Sequence, residues 1–271
     1  KAAKNRSIFA QRRLKPDDVL PEWRKSAAAL GNAEDVQRFV NRAMAKLGAG
    51  LEPYKNHFKA PLGELPQTLK ERLAAEGLSG TVRIDFKQPA AQGATFIQRT
   101  HPLVVALADA LLEQALDSQT NEADAVARAG AAFVAQVSLK TTVLLLRLRH
   151  QLTVTRDHQT RLMLCEETVA VSATGTEAPT ELPLPQAREL LGAEASRNMP
   201  PVIRDRHLRQ ALDSLPTWQP ALEEIAKTRA QALLADHRRI REAADARGSY
   251  QVTASLPVDV MGVYVLVPAA A

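Results

Sequence analysis

The sequence has one cysteine, few aromatic residues and no long apolar run. With Cys165 alone, the chain can form neither an internal disulfide nor a thiolate metal cluster. Aromatic residues make up 4% of the chain, which argues against a single-strand binder that stacks bases on exposed rings. The same single cysteine favours a cytoplasmic setting. No run of apolar residues is long enough to span a bilayer, and we expect no membrane partner.

The chain also lacks the motifs of nucleotide hydrolysis and of metal binding. It has no GxxxxGK[ST] loop, and no apolar strand ends in the acids that would hold Mg²⁺. No protease signature surrounds Cys165, so a packed thiol is the simpler interpretation. The histidines show no HxH or HxxxH spacing; they are His57, His101, His150, His158, His207 and His237. We expect no catalytic residue, no metal and no cofactor in this chain.

The overall composition is that of an ordinary globular protein. Hydrophobic residues make up 45% and charged residues 24% of 271 residues, which predicts one large or two medium domains. The net charge is +5. Residues 1–25 hold eight Lys or Arg against three acids, so the remainder is close to neutral. The sequence does not begin with Met, and we expect a fragment of a longer protein.

Hydrophobic periodicity in the first 117 residues predicts helices and a short hairpin. The first sixty residues favour helices joined by turns at proline. Three helices are clearest; they extend from Asn32 to Gly48, from Pro66 to Gly77, and onward from Pro102. From Thr81 the period changes to 2, which predicts a strand, with Thr95–Gln98 as its hairpin partner.

The rest of the chain predicts a sheet, a helical excursion and a return to the sheet. Two long strands between Val137 and Val171 flank the polar sequence RDHQT. Pro200, Pro201, Pro216 and Pro220 should interrupt the helical part, and its last helix should extend from about Ala221 to Ala246. The alternation after Gly248 predicts terminal strands. The predicted class is α+β: an antiparallel sheet with packed helices, and a long C-terminal helix followed by returning terminal strands.

Four segments follow from these patterns. They are a helical, basic N-terminal segment (1–78), an antiparallel β-rich core with one helix (79–174), a helical segment after a Pro-rich loop (175–248), and terminal strands that rejoin the sheet (249–268). We find no internal repeat.

Basic residues in three places are candidates for contact with nucleic acid. Arg147 and Arg149 share one strand face with Gln151, Thr153 and Thr155, a set of donors suited to phosphate oxygens, although a solvated sheet face is the alternative. Arg238, Arg239 and Arg241 fall near the end of the last predicted helix, where they could equally serve the helix dipole. The N-terminal cluster is either a phosphate-tracking arm or a solvated linker. The candidates are Arg12, Arg13, Arg147, Arg149, Arg156, Arg238, Arg239 and Arg241.

Two carboxylates in the second long strand offer little as a catalytic pair. Glu166 and Glu167 are adjacent in a strand, so they project to opposite faces. We expect both at the surface or at a sheet edge.

Four passages, in order, resemble the C-terminal region of bacterial SNF2-type, RapA-like helicases, including those of DISARM-class phage-defence systems. They are RSIFAQRRLKPDDVLPEW (6–23), TFIQRTHPLVVALADALLEQALD (95–117), TTVLLLRLRHQLTVTR (141–156) and ALLADHRRIREAADARGSYQVTASLPVDVMGVYVLVP (232–268). Together they extend over nearly the whole chain. The order of the four passages is more specific than any one of them.

The resemblance implies an accessory region that follows two RecA-like motor lobes. Those lobes would bind ATP and Mg²⁺ and translocate on double-stranded DNA, so this fragment would not itself be an enzyme. It could clamp duplex DNA, contact RNA polymerase or a defence-system subunit, or restrain the motor. The resemblance supplies no catalytic residue for any position here. A protein-interaction module without nucleic-acid contact, and an unrecognised enzyme, remain the alternatives.

Overall fold

A computed structural model describes residues 32–117, 126–156, 159–175, 177–243 and 248–269. The fold is α+β, as the sequence predicts, with a long helix followed by two C-terminal strands. Contacts divide the described chain into two compact units, an N-terminal unit that ends at Val126 and a C-terminal unit that begins at Ala127. The predicted segment 79–174 therefore includes parts of both units.

The N-terminal unit consists of a small four-stranded sheet and three α-helices. Its strands are β1 (Glu52–Tyr54), β2 (His57–Pro61), β3 (Thr81–Asp85) and β4 (Thr95–Phe96), paired in that order. Its helices are α1 (Ala33–Lys46), α2 (Gln67–Ala75) and α3 (Pro102–Leu116), with a short 3₁₀ turn at Leu62–Glu64. The apolar side chains of the three helices bury one face of the sheet, with Ile84 and Ala60 at its centre.

Two expectations for this unit are wrong. Residues 52–61 form a hairpin rather than helix, because Lys55 adopts φ of 53° in a tight turn that reverses the chain. The second strand is β4, and it pairs with β3 in parallel rather than as a hairpin. The connecting loop folds back around Asp85, whose carboxylate accepts hydrogen bonds from the backbone N–H groups of Lys87 (3.0 Å) and Ala91 (2.8 Å).

The C-terminal unit is a six-stranded sheet with two helices. The strands are β5 (Ala129–Val134), β6 (Thr141–Arg156), β7 (Gln159–Thr174), β8 (Thr180–Glu181), β9 (Ser249–Ala254) and β10 (Asp259–Pro268). The order is β5-β10-β6-β7-β8, and β9 pairs with β6 beyond β10. The long β6–β7 hairpin and the returning terminal strands are confirmed. Sequence patterning missed β5, which pairs with β10 in parallel.

The helices of this unit are α4 (Leu184–Leu191) and α5 (Pro201–Ala243). Helix α5 begins at Pro201, where an interruption was predicted, but Pro216 and Pro220 lie inside it. The predicted interruptions at those two prolines, and the predicted start of the last helix near Ala221, are therefore wrong. Each of these prolines removes one helical hydrogen bond. Trp218 and Leu222 are buried against the sheet around the two prolines, and this packing offsets the lost bonds. No helix among the described residues is long and apolar enough to cross a membrane.

The two faces of the β6–β7 sheet differ as the alternation predicts. On the helix face, even-numbered residues of β6 from Leu144 to Leu152 are buried, and the leucines pack against α5. On the opposite side, here called the outer face, α4 packs near Val143. Farther along β6, this outer face carries exposed or half-exposed polar side chains from Arg147 to Thr155.

Candidate nucleic-acid interface

Arg147 and Arg149 lie on the outer face of β6, where they share one carboxylate. Strand β10 pairs with β6 so that Asp259 is opposite Arg147. Asp259 Oδ2 accepts hydrogen bonds from Arg147 Nε (3.1 Å) and Nη2 (2.9 Å), and it lies 2.8 Å from Arg149 Nη2. One negative charge therefore offsets half of the positive charge of this pair. The five donors of each guanidinium are also partly used, which weakens the pair as a phosphate site.

Four of the other candidates lie at the distal end of the C-terminal unit, where β6 ends and β7 begins. Arg156 is the last residue of β6, and as an even-numbered residue of this strand it belongs to the helix face. Val154, two residues earlier on that face, is flanked in register by Arg161 of β7 and by Tyr250 of β9. Arg161, which sequence patterning did not single out, is exposed and joins the basic residues on this face.

The C-terminal end of helix α5 packs at this same end of the unit, next to Tyr250 of β9. The Arg241 guanidinium lies 6.0 Å from the centre of the Tyr250 ring, and the His237 ring packs edge-on to that ring at 4.8 Å. Arg238 and Arg239 are exposed on the preceding turn, and Arg239 Nη2 lies 3.1 Å from Asp236 Oδ1. The helix dipole also favours cations here.

We call these residues the basic distal end; they are Arg156, Arg161, Arg238, Arg239 and Arg241. Burial, and then the charge of Arg241, lower the pKa of His237, so this ring stays neutral near pH 7 and adds no charge. Asp157, Glu242, Asp245 and Arg247 are close in sequence, but their side chains are outside the described part of the chain. The candidates Arg12 and Arg13 also lie outside the described residues.

A polar cluster on the helix face escaped sequence analysis. Glu167, expected at the surface or an edge, is half-buried between the sheet and α5, whereas Glu166 is exposed on the outer face. Arg229 of α5 donates from both Nε and Nη2 to the Glu167 carboxylate, and its Nη1 lies 3.4 Å from Glu181 Oε1. His150 Nε2 lies 3.2 Å from Glu167 Oε1, which makes Glu167 the centre of the cluster.

The electrostatics of this cluster favour an ionised Glu167. Burial alone would raise the pKa of Glu167, but hydrogen bonds from His150 and Arg229, together with the charge on Arg229, lower it to about 2. His150 is 1% exposed, and its Nδ1 has no hydrogen-bond partner among the described residues. The cluster ties α5 to β7 and β8 and is a structural ion pair in this arrangement.

Register explains how the cluster forms and what could have revealed it. Arg156 pairs with Gln159, which places His150 opposite Cys165 and next to Glu167 on the same face. A two-residue turn in RDHQT would have predicted this register. Cys165 is half-buried and packs against apolar residues around Leu152. Within the described ranges, no group of three His, Cys, Asp or Glu side chains could hold a metal ion.

Comparison with known proteins gives a family without an assigned activity. A family model described as Domain of unknown function (DUF8741) matches residues 116–271, which is more than half of the chain. The matched region includes the whole described C-terminal unit, and with it the outer-face arginines, the basic distal end and the Glu167 cluster. No match is found among curated proteins.

Proposed function

The chain belongs to the DUF8741 family, a domain of unknown function, and we propose that it is the C-terminal accessory region of an ATP-dependent double-stranded DNA translocase. In this role the C-terminal unit contacts the DNA backbone. ATP and Mg²⁺ bind the upstream RecA-like motor lobes that the sequence resemblance implies. This chain itself performs no catalysis, and its partners are those lobes and duplex DNA.

The basic distal end carries this proposal. Register and the end of α5 bring Arg156, Arg161 and Arg241 to one end of the unit, with Arg238 and Arg239 exposed on the adjoining turn. Guanidinium groups suit phosphate oxygens because each presents several donors and keeps its charge at any physiological pH. Contacts of this kind position a protein on duplex DNA without reading its sequence. The outer-face pair contributes less because Asp259 engages both arginines.

Replacing Arg161 and Arg238 with alanine should weaken binding to duplex DNA about tenfold at low salt. Both side chains are exposed, so the change removes phosphate contacts and leaves the fold intact. If each arginine neutralises one phosphate, the slope of log K against log salt should become shallower by about 2. Fluorescence anisotropy with a labelled duplex, measured across a salt series, gives both quantities.

The matched control is Arg147/Arg149→Ala, which removes the same charge from the outer face. We expect this variant to bind within about twofold of the parent, because its arginines already share a carboxylate. A larger loss in the control than in Arg161/Arg238→Ala would move the contact surface to the outer face. No binding of the parent chain even at low salt would contradict the DNA role as a whole.

A second candidate function is a protein-interaction module that touches no nucleic acid and docks on the motor lobes, on RNA polymerase or on a defence-system subunit. The observation that favours it is the engagement of Arg147 and Arg149 by Asp259, which lowers the charge of the most extended basic strand face. In that case the titration above would show no salt-sensitive binding, and the same variants would be tested for assembly with the motor lobes.

A further inference from the structure

We propose that β7 carries a self-association surface, through which two copies of this chain pair edge to edge in an antiparallel, two-fold arrangement centred on Met163. The proposed surface is the open edge of β7, which shares Arg161 with the basic distal end but contains no other residue of it. The proposal does not depend on whether the chain binds DNA. The occupant is a second copy of the same chain.

The first observation is an open sheet edge. Strand β7 pairs with β6 along its whole length, but on its other side β8 pairs only with Val171 and Ser172. Leu182 adds one backbone hydrogen bond to Ala170 O, at 2.9 Å. Among the described residues, nothing pairs with the outer edge of β7 from Gln159 to about Thr168. Unpaired N–H and C=O groups of this kind are a template for another strand.

The second observation is that this open edge is apolar where proteins usually protect an edge. Leu162, Met163 and Leu164 are consecutive and are 64%, 43% and 65% exposed. Natural edge strands are usually blunted by charged side chains, especially Lys, by Pro or by a bulge. The charged residues of this edge, Arg161, Glu166 and Glu167, flank the apolar run 162–164, and none lies within it. Residues 159–168 contain neither Lys nor Pro, and their pairing with β6 is continuous, without a bulge. An exposed patch of large apolar side chains on such an edge indicates a contact surface.

The third observation is that one register makes the edge complementary to itself. A two-fold axis perpendicular to the sheet pairs even-numbered residues with even-numbered ones and odd-numbered residues with odd-numbered ones, so that opposed side chains lie on the same face of the sheet. With the axis at Met163, Leu162 faces the partner's Leu164, and the four leucines form one apolar group on the outer face. On the helix face the two Met163 side chains meet. The paired span is then 159–167, which begins at the hairpin turn and ends before β8 covers the edge.

The charged residues of this edge are also compatible with the register at Met163. Arg161 lies opposite the partner's Cys165. Its diagonal neighbour on that face is the partner's Glu167, whose carboxylate already accepts hydrogen bonds from Arg229. Thr160 lies opposite the partner's Glu166. No like charges face each other. Moving the axis to Leu164 would place Leu162 opposite Glu166, and moving it to Leu162 would place Leu164 opposite Thr160. Only the register at Met163 pairs both leucines with leucine.

The test is site-directed disulfide cross-linking in a Cys165→Ser background. Residues on the axis of an antiparallel pair have Cα atoms about 4.5–5.5 Å apart, which suits a disulfide. Met163→Cys should therefore give a covalent dimer under mild oxidation. Thr160→Cys is the matched control, since it is exposed on the same edge but would be about 20 Å from its own copy. We expect at least about fivefold more dimer from the Met163→Cys variant.

Light scattering of the unmodified chain over a concentration series gives the second readout. We expect mass to rise with concentration, and to fall back to the monomer in Leu164→Lys, which introduces a charge at an exposed position. Equal cross-linking of the two cysteine variants would overturn the proposal. So would a monomer at every concentration; amide exchange along 160–168 would then show whether another segment of the chain covers the edge or leaves it open.

Discussion

Replacing Trp218 with alanine is expected to destabilise the C-terminal unit by about 3–5 kcal/mol. Trp218 is 5% exposed and lies between Pro216 and Pro220 in the middle of α5. It packs in the same core as Leu222 and the buried leucines of β6. Removal of the indole leaves a large cavity at the point where the helix has lost two of its hydrogen bonds. Urea unfolding followed by circular dichroism measures the change in the free energy of unfolding.

The loss of stability in Trp218→Ala should also be visible locally, because tertiary packing keeps α5 helical around its two prolines. Amide hydrogen exchange in residues 217–226 should accelerate more than exchange in β6. Val202→Ala is the control in the same helix; Val202 is 82% exposed, so its truncation should change stability by less than about 0.5 kcal/mol. A cost below about 1 kcal/mol for Trp218→Ala would mean that packing of this side chain does not hold the helix together.

Period 2 in the sequence was sufficient to predict the long hairpin and its two faces, because every second residue of β6 from Leu144 to Leu152 is buried. The same rule failed for β5, whose sequence AGAAFV contains small residues that are half-buried on both faces. It failed again at residues 52–61, where the positive φ of Lys55 decides the turn and a lysine gives no signal for it.

The candidate site shows a similar division. Local pattern placed Arg147 and Arg149 on one strand face, but the carboxylate that engages them, Asp259, is 112 residues from Arg147. Likewise Arg229 is 62 residues from Glu167. Such partners depend on strand order and on the path of α5 rather than on local spacing. Pro216 and Pro220 were predicted to break α5 because helix propensity is a local property and does not include the tertiary packing of Trp218.

Acid should destabilise the C-terminal unit through Glu167, and Glu167→Gln should remove most of this effect. The folded-state pKa of Glu167 is about 2, below its ordinary value of 4.5, because the hydrogen bonds and charges of His150 and Arg229 outweigh burial. A depressed carboxyl pKa stabilises the fold above the unfolded-state pKa. The contribution is therefore complete above about pH 5 and is lost as pH falls towards 2.

The size of this contribution is set by solvent access. The full difference in pKa would correspond to about 3 kcal/mol by linkage. Glu167 and Arg229 keep 30% and 37% of their side-chain exposure, so solvent screens the interaction and we expect about 2 kcal/mol. Glu167→Gln should lose this amount at pH 7, because Arg229 retains only the 3.4 Å contact with Glu181 and His150 loses its charged acceptor.

The neighbouring residue gives a matched control, since Glu166→Gln makes the same chemical change on the exposed outer face one position away. Urea midpoints at a series of pH values from 7 down to about 3 would be compared for the parent and both variants. Glu166→Gln should follow the parent, whereas Glu167→Gln should start lower and fall less steeply with acid. If the acid dependence persists unchanged in Glu167→Gln, other carboxylates are responsible for it. The cluster would then contribute little free energy to the packing of α5 on the sheet.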